Sequence, residues 1–277
     1  MATLYLVGTP IGNLADITYR AVKTLKEVDL IACEDTRVSK KLCAHYEIAT
    51  PLKSYHEHNK IQQTEYLIEQ LQEGISIALV SDAGLPLISD PGYELVVAAR
   101  EHQIKVETVP GPNAGLTALM ASGLPSFTYT FLGFLPRKEK QKQEILENRM
   151  YEDSTLIIYE SPHRVKDTLK TIQKIDKNRK VSLGRELTKK FEQITTSNVD
   201  DLLNQLQEGL IPTKGEFVVL IEGAVAVEDT SWFEEMTIAE HVNYYIDQDM
   251  KTKAAIKQVA EIRHMKTGEV YDVYHNV

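Results

Sequence analysis

Charged side chains of both signs gather where predicted strands end in this 277-residue sequence. Tyr159-Glu160-Ser161-Pro162-His163-Arg164 sets a carboxylate, an imidazole and a guanidinium just past one strand. Arg185-Glu186-Leu187-Thr188-Lys189-Lys190 repeats the mixture after the next, and Lys214-Gly215-Glu216-Phe217 leads into the last. A carboxylate or imidazole in such a place can exchange a proton with a bound group, and the cations can meet negative charge. The bland alternative is a set of solvated or mutually paired charges, such as Arg185 with Glu160. Metal chemistry has no support. The eight histidines are scattered, HExxH is absent, and Cys33 and Cys43 form no CxxC. Neither GxSxG nor a Walker A loop is present.

A second group of segments is notable for small residues. Gly8-Thr9-Pro10-Ile11-Gly12-Asn13-Leu14 follows the first predicted strand but lacks the GxGxxG spacing of a dinucleotide site. Ser81–Gly92 and Pro110–Gly115 follow later strands. Small residues let a ligand come close to backbone amides. In an open α/β sheet such loops cluster at the carboxyl edge of the strands, where ligands bind. A small polar ligand is expected there.

The elements that must position these loops alternate between strand and amphipathic helix. Strands are predicted over Thr3–Gly8, Leu30–Cys33, Ile75–Val80, Lys105–Val109 and Phe127–Phe134. Helices are predicted over Thr18–Val28, Asn59–Glu73, Tyr93–Glu101 and Asn113–Ser122. That order predicts an α/β domain over 1–134 with a largely parallel sheet. A second α/β domain is expected over 135–226, entered through Leu135–Lys142. Its predicted helices are Arg137–Met150, Val165–Ile175 and Val199–Glu208, and its strands are Thr155–Tyr159, Lys180–Gly184 and Phe217–Ile221. Residues 227–277 read as a small helical appendage.

Composition bounds the function. Hydrophobic residues make up 43% and charged residues 26%, enough for a packed core. The net charge of −9 argues against a protein that coats nucleic acid. The charge is segregated, however. Residues 137–190 carry +6, between −5 over 1–136 and −12 over 191–250. Arg137, Lys138, Lys140 and Lys142 follow the aromatic run Phe127–Phe134, a pattern that fits local polyanion binding as well as a solvated helix. No apolar run approaches the ~18 residues of a membrane span. Met1–Pro10 has no basic flank, so no secretory signal is expected, and the chain reads as cytoplasmic with no membrane partner.

Several segments carry a family resemblance. Thr9-Pro10-Ile11-Gly12-Asn13-Leu14, Asp16 and Asp29 through Cys33-Glu34-Asp35-Thr36-Arg37 resemble the opening of the bacterial 16S ribosomal RNA (cytidine-2′-O)-methyltransferases, of the tetrapyrrole-methylase-like (class III methyltransferase) superfamily. Ser81–Gly92, Pro110–Ala114, Phe131–Lys138, Tyr159–Arg164, Arg185–Lys190 and Lys214–Val218 follow in the family's order. The chain departs from the superfamily's Gly-Asp-Pro turn, with Ser81-Asp82-Ala83-Gly84, and has Asn113 where serine is common. The resemblance implies S-adenosylmethionine (SAM) in a cleft between two α/β domains, a homodimer, and methylation of a cytidine ribose in 16S rRNA, free or within the small subunit. It implies donor contacts at Pro10, at Asp82, Ala83, Gly84 and Leu87, at Asn113 and Ala114, and at Phe131, Tyr159, Leu187 and Gly215.

Under that reading the candidates for proton transfer are Glu160, His163, Glu186 and Asp35, unranked, with Arg185 polarising the oxygen. Arg37, Arg164 and Lys189 are the candidate phosphate holders near the cleft. Arg137, Lys138 and Lys142, with Lys251, Lys253, Lys257 and Arg263 in the tail, are the candidate RNA contacts. A corrinoid or protein methylase on the same fold, and an RNA-binding assembly factor without activity, are the alternatives.

Overall fold

The computed structural model describes residues 2–224, 233 and 236–275. Val, Ile and Leu runs bounded by loop residues form strands, and each of the first four strands feeds a helix that packs on the sheet. The elements are β1 (Thr3–Val7), α1 (Tyr19–Glu27), β2 (Leu30–Cys33), α2 (Thr36–His45), β3 (Leu52–Ser54), α3 (Lys60–Gln72), β4 (Ile77–Val80), α4 (Tyr93–Glu101) and β5 (Lys105–Val109). Their five strands make one parallel sheet in the order β3-β2-β4-β1-β5.

Alternate residues of β4 face opposite ways, as the two-residue period of a strand requires. Ala78 and Val80 pack with Ala21 and Leu25 of α1 and Cys43 of α2. Ile77 and Leu79 pack with Leu67 and Leu71 of α3 and Leu95 of α4. The neighbours β1 and β4 thus send their following helices to opposite faces. A crevice opens between the loops that leave them, the usual ligand position in such a sheet.

α5 (Ala114–Ser122) then crosses to a second sheet. This is built from β6 (Tyr129–Phe134), β7 (Thr155–Glu160), β8 (Lys180–Arg185), β9 (Gln193–Asn198) and β10 (Phe217–Ile221), in the order β6-β7-β10-β8-β9. Only β6 and β7 run parallel, and β10 is antiparallel to both its neighbours. α6 (Glu139–Arg149), α7 (Val165–Ile175) and α8 (Val199–Glu208) bury one face. On the other face Ala118 and Leu119 of α5 pack with Ile157, Val218 and Leu220, and Ile11 from the loop after β1 joins them.

Two expectations change. The strand ending at Phe134, assigned to the first domain, pairs with β7 and belongs to the second sheet. Packing separates Met1–Ala224 from Val225–Val277 as two compact units; the expected 226/227 boundary lies outside the described residues. α2, β3 and β9 are elements beyond those the sequence pattern predicts. α2 buries little beyond Ser39 and Cys43, and β3 and β9 are edge strands with no fully buried residue. The second unit contains α9 (Ile238–Ile246), α10 (Thr252–Ile262) and α11 (Thr267–His275), around Val242, Ile256, Val259 and Val270. Thr237 and Glu240 close a reciprocal cap at the start of α9. Among the described residues no helix is long and apolar enough to cross a membrane.

The crevice depends on a backbone contact that only glycine allows. A Cβ on Gly8 would stand 2.7 Å from the Gly111 Cα, and one on Gly111 would stand 2.9 Å from the Gly8 Cα. Gly111→Val is expected to force the loops apart, an overpacking cost of about 1–3 kcal/mol. At roughly 2–4 °C per kcal/mol, calorimetry should record a midpoint several degrees lower. Gly268→Ala, where an added Cβ meets nothing within 4 Å, should leave the midpoint nearly unchanged.

Candidate active site

The loop after β1 is held against the loop after β4 by backbone hydrogen bonds. Thr9 N donates to Gly84 O at 2.8 Å and Gly84 N donates to Thr9 O at 3.2 Å. The Thr9 hydroxyl, buried, donates to Ser81 O at 3.1 Å. Asn113 caps α5 by accepting from Leu116 N at 2.9 Å. These loops and the edge of the second sheet enclose a cleft of about 410 Å³.

Seven of the eleven residues that the family resemblance assigned to the methyl donor line this cleft: Asp82, Ala83, Gly84, Asn113, Ala114, Tyr159 and Leu187. The other four stand one place back. Pro10 is buried behind Ile11. Leu87 sits beside the lining Ile88, and Gly215 beside Glu216. Phe131 packs edge-on against Tyr159, ring centroids 5.0 Å apart, while Phe134 forms the wall. Sequence reasoning missed Ser89, Asp90 and Phe217 as lining residues. The long loop that carries Ser89 and Asp90 was itself a visible signal.

Most of the proposed proton acceptors are committed elsewhere. Glu160 reaches the cleft but is 2% exposed. Its carboxylate accepts from Ser161 N at 2.8 Å and from the Thr168 hydroxyl at 2.7 Å, with Arg164 Nε at 3.4 Å. It ties β7 to α7. Arg185 does not pair with it; that guanidinium donates to Lys214 O at 2.7 Å and Phe191 O at 3.1 Å. Glu186 accepts from Lys189 Nζ at 2.9 Å and Glu216 N at 3.0 Å, and Lys189 holds its carboxyl below the usual range. Asp35 caps α2 through Arg37 N, and its bond to the exposed Arg37 guanidinium lowers it to about 2. His163 is exposed and is not part of the cleft wall.

The candidate RNA contacts divide in the same way. Arg137 and Lys138 are exposed. Lys142 is buried, its amine 2.8 Å from Glu139, and cannot meet RNA as expected. A buried lysine without that carboxylate would be costly, so burial and pairing come together. Arg164 donates to Leu135 O at 2.8 Å and Pro136 O at 3.2 Å and clamps the connection out of β6. Lys189 bridges Glu186 and Glu216. In the second unit Lys251, Lys253 and Lys257 are exposed. Arg263, by contrast, is spent on His241 Nδ1 and the carbonyls of Phe233 and Met236.

The cleft has a distinct electrostatic character. Burial pushes the Asp90 carboxyl up to about 6, with Asp82 adding to it and the Ser81 hydroxyl opposing. Burial also raises Glu34, reinforced by Asp90 and Asp82, and raises the Tyr159 phenol, whose oxygen accepts from Gly115 N at 3.3 Å. An acidic, partly apolar cleft suits a cationic ligand with an apolar body. Among the described residues no group of His, Cys, Asp and Glu could hold a metal ion.

The model of the tetrapyrrole (corrin/porphyrin) methylases matches residues 3–203. A protein of Halalkalibacterium halodurans named ribosomal RNA small subunit methyltransferase I is 51% identical over 276 residues, covering 99% of this chain and 94% of that protein. Its namesake in Bacillus subtilis is 48% identical over 278 residues, with the same coverage. Among solved structures, diphthine synthase superposes with a TM-score of 0.61 at 13% identity, over 80% of this chain and 90% of the other. A Thermus thermophilus uroporphyrin-III C-methyltransferase, complexed with S-adenosyl homocysteine, gives 0.53 at 20% identity, over 80% of this chain and 97% of that one. At such identities these two show the fold.

Glu160→Ala should act on stability. It strands the Ser161 amide, the Thr168 hydroxyl and the Arg164 guanidinium, a loss of about 2–4 kcal/mol readable by denaturant unfolding. An unchanged unfolding midpoint would mean that the carboxylate is free.

Proposed function

The chain belongs to the tetrapyrrole methylase family, and from that membership we propose that it is a cytoplasmic, SAM-dependent methyltransferase acting on the ribose 2′-hydroxyl of a cytidine in 16S rRNA, in the decoding region. The observation that carries this reading is the near full-length likeness, at 51% identity, to a protein named as a small-subunit rRNA methyltransferase. Tetrapyrrole enzymes share the fold at about a fifth identity, so the likeness favours RNA over a corrinoid.

The cleft residues fit the donor. Ala83, Gly84 and Ala114 leave backbone open to a ligand, Ile11, Leu187 and Val218 offer apolar surface, and Asp82 offers negative charge to a cation. SAM supplies a methyl group already activated on a positively charged sulfur. The protein must hold the hydroxyl in line with it and exclude water; alignment of this kind can contribute ~7–11 kcal/mol. A homodimer is part of the proposal. Leu116 and Met120 share one exposed face of α5, and Phe127 just beyond is fully exposed, apolar surface that a second copy can cover.

RNA is held by the exposed cations Arg137 and Lys138 beside the Phe134 wall, with Lys251, Lys253 and Lys257 as further contacts. The target ribose must be splayed out of its helix for the hydroxyl to enter a cleft of this size.

Two experiments test the reading. Calorimetry should show SAM binding, and ribose-methylation mapping of 16S rRNA from a deletion strain should lose one 2′-O-methylcytidine. An unaltered map would overturn the RNA assignment. Reversing charge at Arg137 and Lys138 should weaken RNA binding and flatten its dependence on log salt by about 1.5, at roughly 0.7–0.9 per phosphate contact. SAM affinity should stay unchanged.

A further inference from the structure

We propose that Asp90 is the catalytic base that takes the proton from the attacking ribose hydroxyl, an inference that rests on the methyl-transfer reading above. Elimination points to it. Of the carboxylates in the cleft wall, Glu160 is buried among its own donors, Glu216 is bound to Lys189, and Asp82 accepts from Asp35 N at 3.0 Å. Glu186 and Asp35 are held by Lys189 and Arg37 and do not line the cleft. Asp90 alone among the lining carboxylates has neither an ion pair nor a backbone donor among the described residues.

The chain goes to some length to put it there. Leu87 and Ser89, neither of them glycine, take left-handed backbone angles, φ 71° and 67°, and Gly92 follows at φ 143°. Such conformations persist only where the surroundings enforce them, and they cluster at functional sites. Here the enforcing contacts are close packing of Leu87 beside Gly92 and of Ser89 beside Gly133 in β6. The result is an acidic group, half-buried, at the junction of the two sheets. The titratable groups facing it are Asp82 after β4, Glu34 after β2 and the Tyr159 phenol of β7, with the Ser81 hydroxyl alongside. No cation faces it among the described residues. Its carboxyl, raised to about 6, is ionised at neutral pH yet more basic than an ordinary aspartate, the range suited to proton abstraction.

The step balances without any further reactant. The ribose oxygen forms a bond to the methyl carbon as the carbon–sulfur bond breaks, and sulfur keeps that electron pair. The hydroxyl proton passes to the Asp90 carboxylate, which later releases it to solvent.

Asp90→Asn keeps the shape and removes the charge. Single-turnover methylation of small subunits should slow by about 10²–10⁴-fold. Calorimetric SAM affinity should stay close to wild type. The wild-type rate should climb with pH to a plateau above about 6, and the variant should lose that limb. A readout independent of activity follows from the same group. Its folded-state carboxyl titrates above the unfolded value of 3.8, so wild type loses stability as pH rises from about 4 through about 6. The variant should therefore melt higher than wild type at pH 8 and alike at pH 4, so failed folding is not the expected outcome. An undiminished single-turnover rate, or equal melting at pH 8, would overturn the proposal. Lost SAM affinity with the pH limb intact would also overturn it, by making Asp90 a donor contact. A wild-type protein that transfers no methyl group would instead sink the function reading, and this assignment with it.

Discussion

The close passage of two backbones, at Gly8 and Gly111, fixes where everything else in the larger unit can sit. With no side chain between them, the loops after β1 and β5 touch, and Thr9 can pair with Gly84 across the mouth of β4. The three loops therefore form one rigid floor. Ile11, carried past that floor, enters the apolar cluster of α5 and the second sheet. A single constraint thus closes the cleft from below and ties the two sheets together.

Above that floor the charges are sorted. Carboxylates cluster at the ends of β2 and β4, as Glu34, Asp35, Asp82 and Asp90, while exposed cations stand at the end of β6, as Arg137 and Lys138. A positively charged donor and a polyanionic acceptor need opposite fields. An overall charge of −9 is compatible with both only because the signs are separated in space. The lysines and arginines that looked equivalent in the sequence are not equivalent in the fold. Lys142, Arg164, Lys189 and Arg263 neutralise partners or hold carbonyls, and so build the surfaces on which the free cations stand.

Much of this was legible beforehand. Tyr93–Glu101, Lys105–Val109, Val165–Ile175, Val199–Glu208 and Phe217–Ile221 end where the sequence pattern predicts, and the last three carry long runs or stripes of buried residues. The loops that converge were also readable, since small residues after strands are a local signal. Pairing was not. β6 follows a helix as the earlier strands do, and nothing in Tyr129–Phe134 says which sheet it joins. Nor was the fate of each charged side chain readable, because Glu160 and Asp90 differ only in what the fold brings to them. Thr168 and Ser161 satisfy the first, while the second has only the Ser81 hydroxyl, with no ion pair or backbone donor among the described residues.

That difference is what separates scaffold from chemistry in this cleft. A buried carboxylate surrounded by donors, as Glu160 is, ties together the elements that supply them. One that is half-buried, near other carboxylates and far from any cation destabilises the fold when ionised, and by the same free energy holds a proton more readily. The left-handed residues at Leu87 and Ser89 add to the cost on that one loop. The surrounding core can absorb it: β4, which launches the loop, is buried along its whole length between α1 and α2 on one side and α3 and α4 on the other. The parallel sheet therefore does more than carry the loop to the cleft edge; its surplus stability is what allows an unpaired acid to be kept there.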